Sequence, residues 1–100
     1  MRIVMTALLF ASALASAATV TGYISDSMCG ASNGNGSAEA RTCTKDCLKN
    51  GAVPVLVSET DKKVFKLAGK DVKAHLDHKV KITGEIKGDV LTVADVQKAE

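Results

Sequence analysis

The chain has few aromatic residues and little net charge. Among its 100 residues there are no tryptophans, one tyrosine and two phenylalanines. Proteins that bind single-stranded nucleic acid stack bases on several aromatic rings, so this composition argues against such a groove. Lysine and arginine total 13 and aspartate and glutamate total 11, giving a formal net charge of +2. This balance gives no electrostatic reason to expect nucleic acid or an anionic membrane surface as a partner.

The sequence also lacks the motifs of several enzyme classes. It contains no phosphate-binding Gly-x4-Gly-Lys loop and no Cys-x-x-Cys redox motif. No combination of serine, histidine and aspartate stands out as a nucleophilic triad. We therefore favour a protein that is not an enzyme and that needs no cofactor, apart from the metal alternative described below.

The N-terminal residues resemble a secretory signal. A positive charge at Arg2 precedes an apolar run over residues 3–14, and Ala15-Ser16-Ala17 follows as a small-x-small sequence that signal peptidase accepts. A membrane-spanning helix needs about 20 apolar residues, and this run is shorter. We predict a signal peptide over residues 1–17, a single domain over residues 18–100 with no membrane span, and a periplasmic or secreted location.

The domain after the signal has mostly strand patterns. Alternation of apolar and polar residues is clearest over residues 79–87, where Val80, Ile82 and Ile86 alternate with lysine, threonine and glutamate. The same reasoning, with turn residues between the segments, predicts five strands. They cover residues 19–25, 53–58, 63–67, 79–87 and 90–96.

Two helices interrupt these strands. Ser37 is a suitable N-cap for a helix over residues 38–50, and a shorter helix is predicted over residues 71–78. The glycine-rich segment 30–37 is predicted to be a loop. Five strands with a helix after the first and a short helix after the third match a small five-stranded OB-like Greek-key barrel. An open β-sandwich or meander is the alternative.

Several motifs resemble a family of small exported bacterial proteins, found especially in soil bacteria and labelled a domain of unknown function. The similarity covers nearly the whole domain after the signal. The resemblance implies an exported protein with this fold, and it implies no activity. The motifs are Gly22-Tyr-Ile-Ser-Asp-Ser-Met-Cys-Gly30, Cys43-x-x-x-Cys47, Val55-Leu-Val, Val64-Phe-Lys-Leu67 and Val80-Lys-Ile-Thr-Gly84.

Three cysteines, Cys29, Cys43 and Cys47, are the most unusual feature of the chain. In an exported protein the expected outcome is a disulfide. Cys43 and Cys47 lie four residues apart on the predicted helix, on the face turned toward the core, and their parallel Cβ directions do not suit a bridge between them. We predict a Cys29–Cys47 disulfide, with Cys29–Cys43 as the alternative. Closing a loop of this length by a disulfide should stabilise the folded protein by about 3 kcal/mol. The odd cysteine allows a monomer or a disulfide-linked dimer.

Two other interpretations of the cysteines stay open. Three thiolates, with Asp26, His75 or His78 as a fourth ligand, could hold zinc or another soft metal ion. Alternatively, the spare cysteine could make the chain a thiol or redox protein. Our preferred interpretation is an exported, non-enzymatic binding or structural domain of the cell envelope, stapled by one disulfide. Its ligand or envelope partner is not identified by the sequence.

Overall fold

Five β-strands close into a barrel in the computed structural model, which describes residues 16–99. Around the barrel the order is β1-β2-β3-β5-β4, and β4 pairs with β1 to complete the ring. The β3–β5 pair is parallel and the other four pairs are antiparallel. The mainly β class and the five-stranded barrel are therefore confirmed. The strands are β1 (Ser16–Asp26), β2 (Pro54–Ser58), β3 (Val64–Gly69), β4 (Val80–Lys87) and β5 (Val90–Lys98).

One α-helix, α1 (Ala38–Lys49), lies between β1 and β2 in the described part of the chain. Its N-cap is Ser37, as predicted, and the Ser37 side chain accepts a hydrogen bond of 3.1 Å from the backbone N–H of Ala40. Asn50 is the C-cap of the helix, and Gly51 follows with a φ of 102°, a conformation that glycine adopts easily. This helix packs against β1.

The short helix predicted over residues 71–78 is present between β3 and β4 only as a 3₁₀ turn, Lys73–His75. The Asp71 carboxylate accepts a hydrogen bond of 3.0 Å from the Lys73 N–H, which favours a local turn over a longer helix. Val72 is the one residue of this segment that is fully buried, so the segment has little apolar surface with which to hold a helix in place. The predicted loop 30–37 also contains a 3₁₀ turn, Gly30–Asn33.

The core fills the interior of the barrel. In β4, buried Val80 and Ile82 alternate with exposed Lys81 and Thr83, as the period of two requires. Gly22 pairs with both β2 and β4, and a Cβ at this position would lie 1.9 Å from the carbonyl oxygen of Val57. Only glycine therefore fits where β1 passes from one neighbour to the other. The core consists of Ile24, Leu56, Phe65, Val72, Val80, Ile82, Leu91 and Val93.

The predicted signal peptide falls mostly outside the described residues, which begin at Ser16. Ser16 and Ala17 form the start of β1 and pair with Ile86 and Glu85 of β4. Among residues 16–99, none of the helices combines the length and the apolar character needed to cross a membrane.

Candidate three-cysteine metal site

The three cysteines meet at one end of the barrel. The Sγ atoms of Cys29, Cys43 and Cys47 all lie within 4.8 Å of one another. Cys29 follows the end of β1 and precedes the first 3₁₀ turn, whereas Cys43 and Cys47 are one helical turn apart on α1 and project from the same side. Each is a free thiol in this structure. Two distant segments of the chain thus contribute to one cluster of sulfur atoms.

The expectation that both helix cysteines face the core is wrong. Cys43 is exposed and Cys47 is only half-buried, whereas α1 buries Ala40 and Thr44 against the barrel. Thr44 faces inward because its Oγ1 reaches the buried carboxylate of Asp26, at 3.4 Å. This rotation of the helix places Cys43 and Cys47 at the edge of the interface, where they face Cys29.

Asp26 holds the turn that carries Cys29. It is the last residue of β1 and has no exposed surface. Its Oδ1 accepts hydrogen bonds from the backbone N–H groups of Met28, at 3.0 Å, and Cys29, at 2.8 Å. Its Oδ2 accepts a bond of 2.9 Å from Asn33 Nδ2 and the longer bond from Thr44. One carboxylate therefore ties together β1, the 3₁₀ turn and α1.

Sequence reasoning considered Asp26 only as a possible metal ligand and missed this structural role. A detectable signal was present, because an aspartate two or three residues before a turn commonly accepts hydrogen bonds from the N–H groups that follow it. Here those N–H groups belong to Met28 and to the first cysteine.

Further contacts fix the same turn to the barrel. The Ser25 hydroxyl donates a hydrogen bond of 2.7 Å to the carbonyl oxygen of Gly30. Ser27 and Val53 exchange two bonds, from Ser27 N–H to the Val53 carbonyl at 2.9 Å and from Val53 N–H to Ser27 Oγ at 3.0 Å. Gly34 packs so tightly on Val57 that a Cβ would lie 2.5 Å from its side chain. These contacts, together with those of Asp26, fix the position of Cys29 relative to the barrel.

Two side chains of the site, Asp26 and Cys47, have pKa values that are shifted in opposite directions. Burial alone would raise the pKa of Asp26, but the hydrogen bonds from Asn33, Cys29 and Met28 outweigh burial and lower this pKa below its ordinary value. Burial raises the pKa of the Cys47 thiol to about 11, and the Asp26 carboxylate and the other two cysteines add to the increase. At neutral pH the Cys47 thiol is therefore protonated and donates a hydrogen bond to Asp26.

This protonation bears on the redox interpretation. A reactive thiol needs a lowered pKa, because the thiolate is the nucleophile. Cys47 has the opposite shift, which disfavours it as an attacking group. A bound cation would reverse the situation, since a metal ion displaces the proton of a coordinating thiol outright.

The spacing of the sulfur atoms suits one shared ion. A zinc–sulfur bond is about 2.3 Å long, so two thiolates on a tetrahedral zinc ion lie about 3.8 Å apart. Sulfurs within 4.8 Å of one another need to close by only about 1 Å to reach that spacing. A disulfide requires two of them to approach to about 2.05 Å, a larger movement that leaves the third thiol aside.

The two histidines lie elsewhere. His75 Nδ1 and His78 Nε2 are 2.9 Å apart and share a hydrogen bond at the 3₁₀ turn before β4. Within residues 16–99, the group of candidate ligand atoms lying within 4.8 Å of one another consists of the three sulfurs, without a histidine or a carboxylate. The structure thus brings the three predicted cysteines together and bonds Asp26 to the turn of Cys29. His75 and His78 do not belong to this cluster.

Comparisons with known proteins assign no family to the chain. It is matched by no protein-family model, by no curated protein and by no solved structure. The resemblance to an exported domain of unknown function therefore stays a prediction, and the function has to be inferred from the geometry of the site.

Proposed function

We propose that the protein binds a soft metal ion, such as Zn²⁺ or Cu⁺, through the thiolates of Cys29, Cys43 and Cys47. The observation that carries this proposal is the convergence of three sulfur atoms within 4.8 Å from two separate segments of the chain. Thiolates select this class of ion over hard cations such as Mg²⁺ and Ca²⁺.

The site is organised before an ion binds, which supports the same proposal. Hydrogen bonds from Met28, Cys29, Asn33 and Thr44 to Asp26 hold the turn of Cys29 against α1. Cys43 and Cys47 are held by a helix whose spacing already aligns them. A preorganised site loses little conformational entropy on binding, so more of the metal–sulfur interaction is available as affinity.

The predicted Cys29–Cys47 disulfide, or its Cys29–Cys43 alternative, is the second candidate, and the same proximity of the sulfurs supports it. A structural staple uses two cysteines and gives no role to the third. A metal ion uses all three sulfurs, and this point favours metal binding over the staple.

For the protein as a whole, we propose an exported OB-like domain that acts at the cell envelope without catalysing a reaction. The strand order β1-β2-β3-β5-β4, with a parallel β3–β5 pair, supports the OB-like Greek-key assignment. The predicted signal at residues 1–17 supports export to the periplasm or the medium. In that oxidising location the thiols stay reduced while an ion holds them.

The test is a titration of the reduced full chain with Cd²⁺ under argon. We expect saturation at one ion per chain and an ultraviolet sulfur-to-cadmium charge-transfer band. Serine substitution of any of the three cysteines should weaken binding by more than the roughly 10- to 100-fold that follows loss of a residue hydrogen-bonded to a metal ligand. Thr42→Ser, on the exposed side of α1 next to Cys43, is the matched control and should bind normally.

Two results would overturn the proposal. One is the absence of saturable binding by the reduced chain. The other is normal binding by Cys43→Ser or Cys29→Ser. A count of one alkylatable thiol in protein isolated without reductant, together with either result, would establish the disulfide in place of the metal site.

A further inference from the structure

We propose that the metal bound by the three cysteines keeps one coordination position open to solvent, and that this position accepts the thiolate of a small neutral or cationic thiol. The inference rests on the proposed metal binding and specifies the ligand class that the site recognises. Three observations carry it: the engagement of Asp26, the exposure of two of the cysteines, and the groove beside Cys43.

Asp26 contacts the cluster through the Cys47 thiol, but its oxygens are already used. Oδ1 accepts bonds from two backbone N–H groups, and Oδ2 accepts bonds from Asn33 and Thr44. The Cys47 thiol, while protonated, donates a further bond to this carboxylate, which has no exposed surface. To bind a metal ion, the carboxylate would have to give up donors that are themselves partly buried, which costs free energy. Asp26 is therefore a positioning residue that holds Cys29. Within residues 16–99 no other carboxylate or histidine joins the three sulfurs within 4.8 Å, so the fourth ligand comes from outside the chain.

The open position faces solvent. Cys29 and Cys43 are exposed, so an ion held between them and Cys47 lies at the surface of the protein. A groove of about 430 Å³ runs along α1 beside Cys43, and it is wide enough for a molecule several times larger than water. It is lined by Ala38, Glu39, Thr42, Cys43 and Asp46.

The charge of this groove selects among thiols. Glu39 and Asp46 place two carboxylates on its rim, and three thiolates already bring negative charge to the metal. An anionic thiol such as mercaptoacetate is repelled by both, whereas a cationic thiol such as cysteamine is attracted. The preference is modest because the carboxylates are exposed and screened by salt.

Binding is a ligand exchange without oxidation or reduction. The bond between the metal and a water molecule breaks, and a bond forms between the metal and the sulfur of the incoming thiol. The thiol proton passes to solvent, and the metal keeps its three cysteine ligands and its oxidation state. Zinc sites with three protein ligands keep a fourth position for water or substrate in this way.

The experiment uses the full chain loaded with Co²⁺ under argon, because the visible spectrum of cobalt reports the number of sulfur ligands. We expect cysteamine to shift and intensify the cobalt bands with saturation at one equivalent, while the metal content of the protein stays constant. Mercaptoacetate should give the same final spectrum at a half-saturating concentration roughly three- to tenfold higher, the size expected of exposed charges.

Substitutions separate the roles of the carboxylates. Asp26→Asn should lower cobalt affinity but keep the spectrum of the bound ion, because a positioning residue does not contribute a ligand. The double variant Glu39→Gln, Asp46→Asn should reduce the ratio between the half-saturating concentrations of mercaptoacetate and cysteamine. Glu85→Gln, an exposed change of the same kind on β4, is the matched control and should keep the preference for cysteamine.

The outcomes separate the proposed open coordination position from metal binding itself. If Co²⁺ does not bind to the reduced chain, metal binding and the open position are both rejected. If Co²⁺ binds but neither thiol changes the spectrum, or thiols only strip the metal, the open position is rejected and metal binding stands. A change of the cobalt spectrum in Asp26→Asn like that in a cysteine variant would show that Asp26 is the fourth ligand.

Discussion

Replacing Asp26 by alanine should destabilise the protein more than any other single change to a polar residue in the described part of the chain. The substitution removes the acceptor of two backbone N–H groups at 2.8 and 3.0 Å and of Asn33 at 2.9 Å. A hydrogen bond to a charged group contributes about 1.5–3 kcal/mol. Because the donors are only partly buried, water can replace some of these bonds, and we expect a loss of about 3–5 kcal/mol.

Urea denaturation of the reduced, metal-free protein measures this loss. The matched control is Asp61→Ala, since Asp61 also accepts a backbone bond, from the Lys63 N–H at 3.1 Å, but on an exposed turn. A small domain has only a modest total stability, so Asp26→Ala should shift the urea midpoint far more than the control does. Equal midpoints for the two variants would refute the claim that Asp26 anchors the turn of Cys29.

The stability that the Asp26 carboxylate contributes should decrease at acidic pH. Its pKa is lowered in the folded protein, so the unfolded chain takes up the proton more readily than the folded one. The stabilisation is complete above the unfolded pKa of about 3.9 and is lost as the pH falls through the lower, folded value. The stability difference between wild type and Asp26→Asn should therefore shrink below about pH 4. A difference that stays constant from neutral pH to that acidic range and below would contradict the assignment.

Three further predictions concern the packing of the barrel and the thiol of Cys47. Gly22→Ala should destabilise the barrel more than Gly88→Ala in urea. A Cβ added at Gly22 would lie 1.9 Å from the Val57 carbonyl oxygen, whereas one added at Gly88 would meet no atom of a non-neighbouring residue within 4 Å, so Gly88→Ala reports only the strain of its φ of 64°. Equal losses would refute the crowding at Gly22. Leu56→Ala should cost about 2–5 kcal/mol, since Leu56 is fully buried in the core, and a loss below about 1 kcal/mol would contradict its placement. Site-resolved alkylation of the metal-free protein should show the rate at Cys47 rising until a pH near 11, the pKa of its thiol, and a plateau near the ordinary cysteine value of about 8.5 would disprove the effect of burial.

Local patterns were enough to predict most of the fold. The alternation in residues 79–87 and the Ser37 cap depend on neighbours in sequence, and both are found in the structure. The segment 71–78 was misjudged because a capping aspartate also stabilises an isolated turn, and only one residue of the segment is fully buried. The choice between these outcomes depends on how much apolar surface the barrel offers, which sequence periodicity does not report.

The candidate site was predictable in its residues and less so in its geometry. Cysteine count and spacing pointed to Cys29, Cys43 and Cys47, and the structure brings all three together. The predicted orientation of the helix was wrong. The apolar stripe of the sequence suggested that the cysteines face the core, whereas in the structure Thr44 faces inward and contacts Asp26. A single long-range polar contact of this kind leaves no periodic trace in the sequence.

X-ray absorption spectroscopy at the zinc edge, on the full chain loaded with one equivalent of Zn²⁺ under argon, measures the ligands of the bound ion. We expect three sulfur neighbours at about 2.3 Å and one lighter neighbour at about 2.0 Å. Two or fewer sulfur neighbours would contradict the claim that Cys29, Cys43 and Cys47 form one metal site.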